Sequence, residues 1–185
     1  GKYTNVNTTI PKGSLFYGGS VVSQSDLPDS IIYNYPDGYV LVNMSVTTST
    51  TYGNKVYPGN YIDIYLKAVN KIDEDNMTSD TKDKIMVGKL LQNVKVLDVV
   101  DANGDSVFED PENVKTPSQI IFAVPEEYHI LLRKAMYLRT YEVTLIPVPT
   151  AESTKENPGE VSIANESLKD FINKVTVWTD DTVTQ

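Results

Sequence analysis

VYPGNYIDIYL, residues 56–66, sets a Pro-Gly-Asn turn directly against a run of alternating side chains. Continued to Ala68, Ile62, Ile64, Leu66 and Ala68 point one way, while Tyr61, Asp63, Tyr65 and Lys67 point the other. That period of two is the signature of a strand with one buried face. Pro58 and Gly59 suit the two central places of a turn that reverses the chain. Asp63 is the acid on the polar face, and two readings compete for it. A functional acid is one; a turn-stabilising or cross-strand partner, accepting backbone N–H groups near a tight turn, is the commoner cause. Architecture is the expectation.

Working outward, YVLVNMSV (39–46) repeats the pattern, with Val40, Val42, Met44 and Val46 on one side and Leu41, Asn43 and Ser45 on the other. YPDG (35–38) precedes it as a turn, and TTSTTYGNK (47–55) follows it as a polar loop. Residues 70–84 are long, polar and acidic, and predict an exposed loop. IMVGKLLQNVKVLDVVD (85–101) predicts one or two strands with a break near Gly88. Asn103-Gly104 then signals a two-residue hairpin turn. SQIIFAV (118–124) and YEVTLIPV (141–148) are further strands.

Two helices stand among them. PEEYHILLRKAMYLRT (125–140) has Pro125 for its first turn and Glu126 and Glu127 at the positive end of the dipole. Arg133, Lys134 and Arg139 lie toward the negative end. Tyr128, Leu131, Leu132, Ala135 and Leu138 make one buried stripe. A second helix starts from Asn165 as N-cap and aligns Leu168, Phe171, Ile172 and Val175. VTVWT (175–179) closes the ordered part. The fold class is α+β, mainly β.

The totals restrict function. Among 185 residues, 25 acids outnumber 16 bases for a net charge of −9, and two of the bases are Arg. Phosphate backbones reward clustered Lys and Arg, so no nucleic-acid partner is expected. The absence of cysteine removes disulfides, thiol nucleophiles and thiolate metal sites. No apolar run reaches the length of a membrane span. Glycines 13, 18, 19 and 59 fit no phosphate-loop pattern and serve turns instead.

Catalytic material is sparse. His129 is the sole histidine and sits within the first helix, where packing or solvation explains it better than a general base. Asp101, Asn103, Asp105, Glu109 and Glu112 fall at positions 1, 3, 5, 9 and 12 of an EF-hand-like calcium loop. Ser106 stands where that loop needs Gly, Pro111 interrupts it and strands flank it, so no metal and no cofactor are expected. The acidic run Asp73, Glu74, Asp75 and Asp80 reads as a solvated loop. A metal-dependent hydrolase would need acids alone to hold the metal and supply the base.

The order of segments carries one more message. IPKGSLFYGGSVVSQSDL (10–27), YVLVNMSV, VYPGNYIDIYL, KLLQNVKVLDV (89–99) and IIFAVPEEYHILLRKAMYLRTYEVTLIPV (120–148) together resemble the CpaB/RcpC family of Flp (Tad) pilus assembly proteins. Pro58, Gly59 and Asp63 match that family's PGD-x-VDV turn and strand, with Asn60 where the family has Asp. Leu90, Leu91, Val94, Val96 and Leu97 match its next strand, and Pro125 and Glu126 its helix start. Tyr128 replaces a small residue, RTYEV replaces the helix-end pattern, and residues 151–185 have no counterpart.

The resemblance spans Ile10 to Val148 and implies a partial SAF-like β-clip segment (1–38) and a β-rich body (39–150); the remaining residues read by themselves as a linker, C-terminal helix and tail (151–185). It implies an extracytoplasmic protein, anchored in the membrane by a segment outside this chain and lying in the periplasm or at the cell surface. Such a protein assists pilus assembly or stabilisation through contacts with other pilus assembly proteins, without catalysis. The alternative is a cell-surface adhesin or a glycan- or peptidoglycan-binding module. Tyr33, Tyr35, Tyr39, Tyr52, Tyr57, Tyr61 and Tyr65 would then stack sugars, although half-buried strand positions account for tyrosines equally well.

Overall fold

A computed structural model of the chain describes residues 2–3, 12–13, 22–23, 31, 35–70, 85–110, 112–138, 141–156 and 158–175. The acidic segment 71–84 and the expected closing stretch 176–179 lie outside them, as does most of the expected SAF-like segment. The chain divides into two compact units, 1–37 and 38–185. In the first, β1 (Lys2–Tyr3) and β2 (Val22–Ser23) pair antiparallel.

The second unit holds the body of the fold. Its strands are β3 (Tyr39–Ser45), β4 (Tyr61–Asn70), β5 (Ile85–Val100), β6 (Gln119–Pro125), β7 (Tyr141–Pro149) and β8 (Ser162–Ile163). They form one antiparallel sheet in the order β3-β6-β5-β4-β7, with β8 added on β5. The alternation read in the sequence decides which face is buried: Val42 and Met44 on β3, and Ile62, Ile64, Leu66 and Ala68 on β4, are all in the core. Pro147 and Pro149 are tolerated because β7 is an outer strand, where a missing N–H costs no ladder bond. The mainly-β α+β class is what the molecule has.

The helices α1 (Glu126–Met136) and α2 (Glu166–Val175) pack on each other and on the sheet. Leu131, Leu132 and Ala135 of α1 join Leu168 and Ile172 of α2 in the same core as Phe122, Val94 and Leu90. Pro125 ends β6 and stands as the N-cap residue of α1, so Glu126 begins the helix itself. Asn165 caps α2 as expected: its Oδ1 accepts the Leu168 N–H at 3.2 Å, three residues on. Val175, expected on the buried face, is exposed because the helix ends there.

Segment 85–101 gives one long strand rather than two. Residues 85–95 pair with β4 and residues 96–100 with β6, so β5 is the member that ties the sheet together. Between Ile62 and Tyr65 of β4, the β5 register slips twice, and it slips again opposite β6 between Val96 and Asp98. Such bulges bend a strand and raise its twist, which lets one strand serve two sets of partners. The strand runs unbroken through Gly88, which pairs with Leu66, so the break expected there is absent. A side chain there would start 2.7 Å from Leu168 Cδ1, so Gly88 is the bare spot on β5 that admits α2.

Candidate functional site

The turn that opens β4 is closed by its own residues. Asn60 N–H donates to Tyr57 C=O at 3.1 Å, Gly59 has φ +87, and the Asn60 side-chain oxygen accepts the Tyr57 N–H at 3.0 Å. Pro58 then Gly59 with positive φ is the arrangement of a type II turn. Asn60 therefore closes the turn with its own side-chain oxygen as well as its backbone N–H.

Asp63 acts one step further on. It is buried on β4 against the first irregular stretch of β5, where Asn93 has φ +61. One carboxylate oxygen accepts the Asn93 N–H at 3.3 Å; the other meets Lys89 Nζ at 2.8 Å. The hydrogen bond to Asp63 holds the Lys89 ammonium above the ordinary lysine value, outweighing burial. Asp63 thus fixes an extra residue in β5 to a given place along β4: a cross-strand partner.

Of the five residues in the calcium-loop pattern, Asp101 and Asp105 have their carboxylates drawn into other work. Asp101 Oδ1 accepts N–H groups from Asn103 (2.8 Å) and Asp105 (3.0 Å), and Asp105 Oδ2 holds Lys115 Nζ at 2.9 Å. Burial pushes the Asp101 carboxyl up, but the N–H groups of Asp105 and Asn103, with Lys115 and the Gly104 N–H, outweigh it and hold it below its usual value. Glu109 and Glu112 are exposed, and among the described residues no group of three or more His, Asp or Glu is placed to hold a metal ion. The Asn-Gly turn differs from the two-residue form expected. Asp101 N–H donates to Asp105 C=O at 2.9 Å and Gly104 has φ +91, while Asn103 stays out of the positive-φ region. This is a three-residue loop with Gly in the left-handed place. His129, half-buried on α1, accepts Arg133 Nε–H at 3.2 Å, a local i, i+4 contact.

The feature that sequence reading missed lies in TTSTTYGNK. Residues 47–52 make one helical turn: the Thr50 N–H donates to Thr47 Oγ1 and the Thr47 N–H to Thr50 Oγ1, a reciprocal cap. The turn ends with Gly53 N–H bonded to Thr48 C=O (2.8 Å) and Tyr52 N–H to Ser49 C=O (3.1 Å). That pair of bonds defines a Schellman ending. Its left-handed position is held by Tyr52, φ +56, where Gly is usual, and Gly53 (+69) and Asn54 (+61) continue in the same region. A tyrosine there costs about 1–2 kcal/mol. Gly53-Asn54 was the available signal, since both tolerate this conformation.

The strained turn forms one wall of a groove. It leads from β3 to β4, and the 101–118 connection leads from β5 to β6; in the antiparallel order both emerge from the same end of the sheet. Asn54 Nδ2 bonds Lys115 C=O at 3.3 Å, stapling one to the other. Asp98 Oδ1 accepts from Val99 N–H and Ser106 Oγ–H, which fixes the base of the second wall. Between them is a groove of about 520 Å³ lined by Gly53, Asn54, Lys55, Tyr57, Phe108 and Val114. The Tyr57 and Phe108 rings sit 4.8 Å apart at 43°. Tyr57 is 45% exposed, Val114 46% and the adjacent Tyr52 48%. Of the other tyrosines considered for stacking, Tyr35, Tyr39, Tyr61 and Tyr65 are half-buried, and Tyr33 is outside the described residues.

A family model described as Flp pilus assembly protein RcpC/CpaB matches residues 30–136, more than half of the chain. The chain belongs to the RcpC/CpaB family. The match is narrower than the span from Ile10 to Val148 read from the sequence. It takes in β3 to α1, and with them the Asp63 lock and both walls of the groove, and leaves β7, β8 and α2 outside. No curated protein and no solved structure matches the chain. Membership of RcpC/CpaB places this protein in Flp pilus assembly. Among the described residues, no helix is long and apolar enough to cross a membrane.

Proposed function

We propose that this RcpC/CpaB protein is a non-enzymatic, extracytoplasmic subunit that assists assembly or stabilisation of a Flp-type pilus by holding other pilus assembly proteins. The observation that carries the reading is the groove. Tyr57 and Val114 expose apolar surface on connections that are stapled together, on top of a sheet whose register is pinned by buried Asp63. Exposed apolar groups on a rigid frame are how a scaffold recognises a protein. Pro58, Gly59, Asn60 and Asp63, with Pro125 and Glu126 at the start of α1, set the frame and touch no partner themselves. Residues 1–38 serve as a partial SAF-like module, and an anchor outside the described residues holds the body at the envelope.

The test replaces Tyr57 by a photo-crosslinking amino acid in cells that make the pilus. Irradiation is expected to join the protein to another pilus assembly component. Normal piliation in a strain lacking the gene, together with crosslinks to unrelated proteins alone, would remove the proposal.

A further inference from the structure

The geometry points to the groove between Tyr52–Asn54 and the 106–115 arm as the seat of one partner segment, an extended stretch presenting an aromatic or branched apolar side chain beside a carboxylate. This deepens the protein-contact reading above and rests on it.

Three observations select that chemistry. First, the floor is apolar and angled. Tyr57 and Phe108 meet at 43°, with Val114 beside them, so the walls enclose a side chain rather than offer the flat ring on which a sugar stacks. Second, one N–H of the groove's amide is held inside the protein. Asn54 gives Nδ2 to Lys115 C=O at 3.3 Å, which ties the amide to the facing arm. A sugar needs several polar groups converging on its hydroxyls, whereas an apolar side chain needs only the Tyr57, Phe108 and Val114 surfaces that the groove brings together. Third, Lys55 is the one charged residue among those lining the groove, and it has no ion pair among the described residues. Lys115 on the facing arm is held by Asp105, so the Lys55 ammonium is the cation left to meet a carboxylate set next to the apolar anchor.

The left-handed run explains why the site is here. It turns Gly53, Asn54 and Lys55 into the wall, and the strain at Tyr52 is of the kind that persists where the surroundings over-determine a binding conformation.

The experiment uses the whole 185-residue chain, isotopically labelled, with its amide spectrum followed during titration. The probes are blocked pentapeptides containing Phe-Glu, Phe-Lys or Ala-Glu between glycines and, as the sugar arm, an N-acetylglucosamine trimer. The expected result is that the Phe-Glu peptide shifts the amides of residues 53–57, 108 and 114 and the Ala-Glu peptide does not. Lys55→Glu should invert the order of the Phe-Glu and Phe-Lys peptides by about fivefold, the scale of a rim charge pair. Val114→Asp should abolish the shifts with an unchanged circular dichroism spectrum. Shifts from the trimer alone, shifts scattered away from the groove, or an unchanged order in Lys55→Glu each overturn the inference. If Lys55→Glu cells keep their pili while the Tyr57 crosslink persists, the groove chemistry fails and the assembly role stands; loss of the crosslink partner as well removes both.

Discussion

Replacing Lys89 by Met asks whether Asp63 is architecture. In the native fold the Asp63 side chain is 8% exposed and meets two donors, Lys89 Nζ at 2.8 Å and Asn93 N–H at 3.3 Å. Removing the lysine leaves a buried carboxylate with one long hydrogen bond. Breaking a fully buried pair costs about 3–5 kcal/mol; Lys89 itself is 35% exposed, so water moderates the loss and we expect about 2–3 kcal/mol. Asp63→Ala instead strands the Asn93 N–H, at about 1–3 kcal/mol, while the freed lysine reaches water. Asp63→Asn keeps an acceptor for Asn93 and should cost about 1 kcal/mol.

The double variant Asp63→Ala/Lys89→Met should lose less than the sum of the singles by about 1–2 kcal/mol. Urea unfolding followed by far-ultraviolet circular dichroism gives these values, and hydrogen exchange on β4 and β5 locates them. Lys89 is held above its ordinary value of 10.5 by its bond to Asp63. A raised lysine value means that its contribution is complete below pH 10.5 and is lost as pH climbs through the folded value. The gap between native protein and Lys89→Met should therefore be flat from pH 7 to 9.5 and shrink above 10.5. Single variants within about 0.5 kcal/mol of the native protein, or strictly additive losses, would refute the lock.

Three further outcomes follow from the same geometry. Asp101 is held below its ordinary value of 3.8, so its support of the 101–105 turn is present above that value and lost as pH falls through the lower folded one; amide exchange at Asn103 and Asp105 should accelerate there, and Asp101→Asn should remove the pH dependence. Gly59→Ala puts a side chain at φ +87 with open space around it, so the cost is backbone strain of about 1–2 kcal/mol, and Gly59→Asn should recover part of it in the same urea assay. Gly88→Val drives a branched side chain into Leu168 and should destabilise by about 1–3 kcal/mol, with faster exchange in α2 than in β6.

The local pieces were readable because their causes are local. The faces of β3 and β4 follow from period-two alternation, α1 and α2 from stripes spaced at three and four, and the cap on α2 from one asparagine three residues before the N–H it serves. Order along the chain was enough to point to the pilus assembly family, since the matched span runs continuously from the turn before β3 to the end of α1. The partners of Asp63 were beyond reach of the sequence, because Lys89 and Asn93 come opposite it only when β5 slips its register against β4.

Composition and alternation fixed the class of fold, the buried faces and the scarcity of catalytic groups. Strand order, the bulges of β5 and the groove came from tertiary structure alone. Thr47–Lys55 looks like any polar loop until Asn54 meets Lys115, 61 residues away. Contacts of that separation depend on how the whole sheet closes, and no short window of residues contains them.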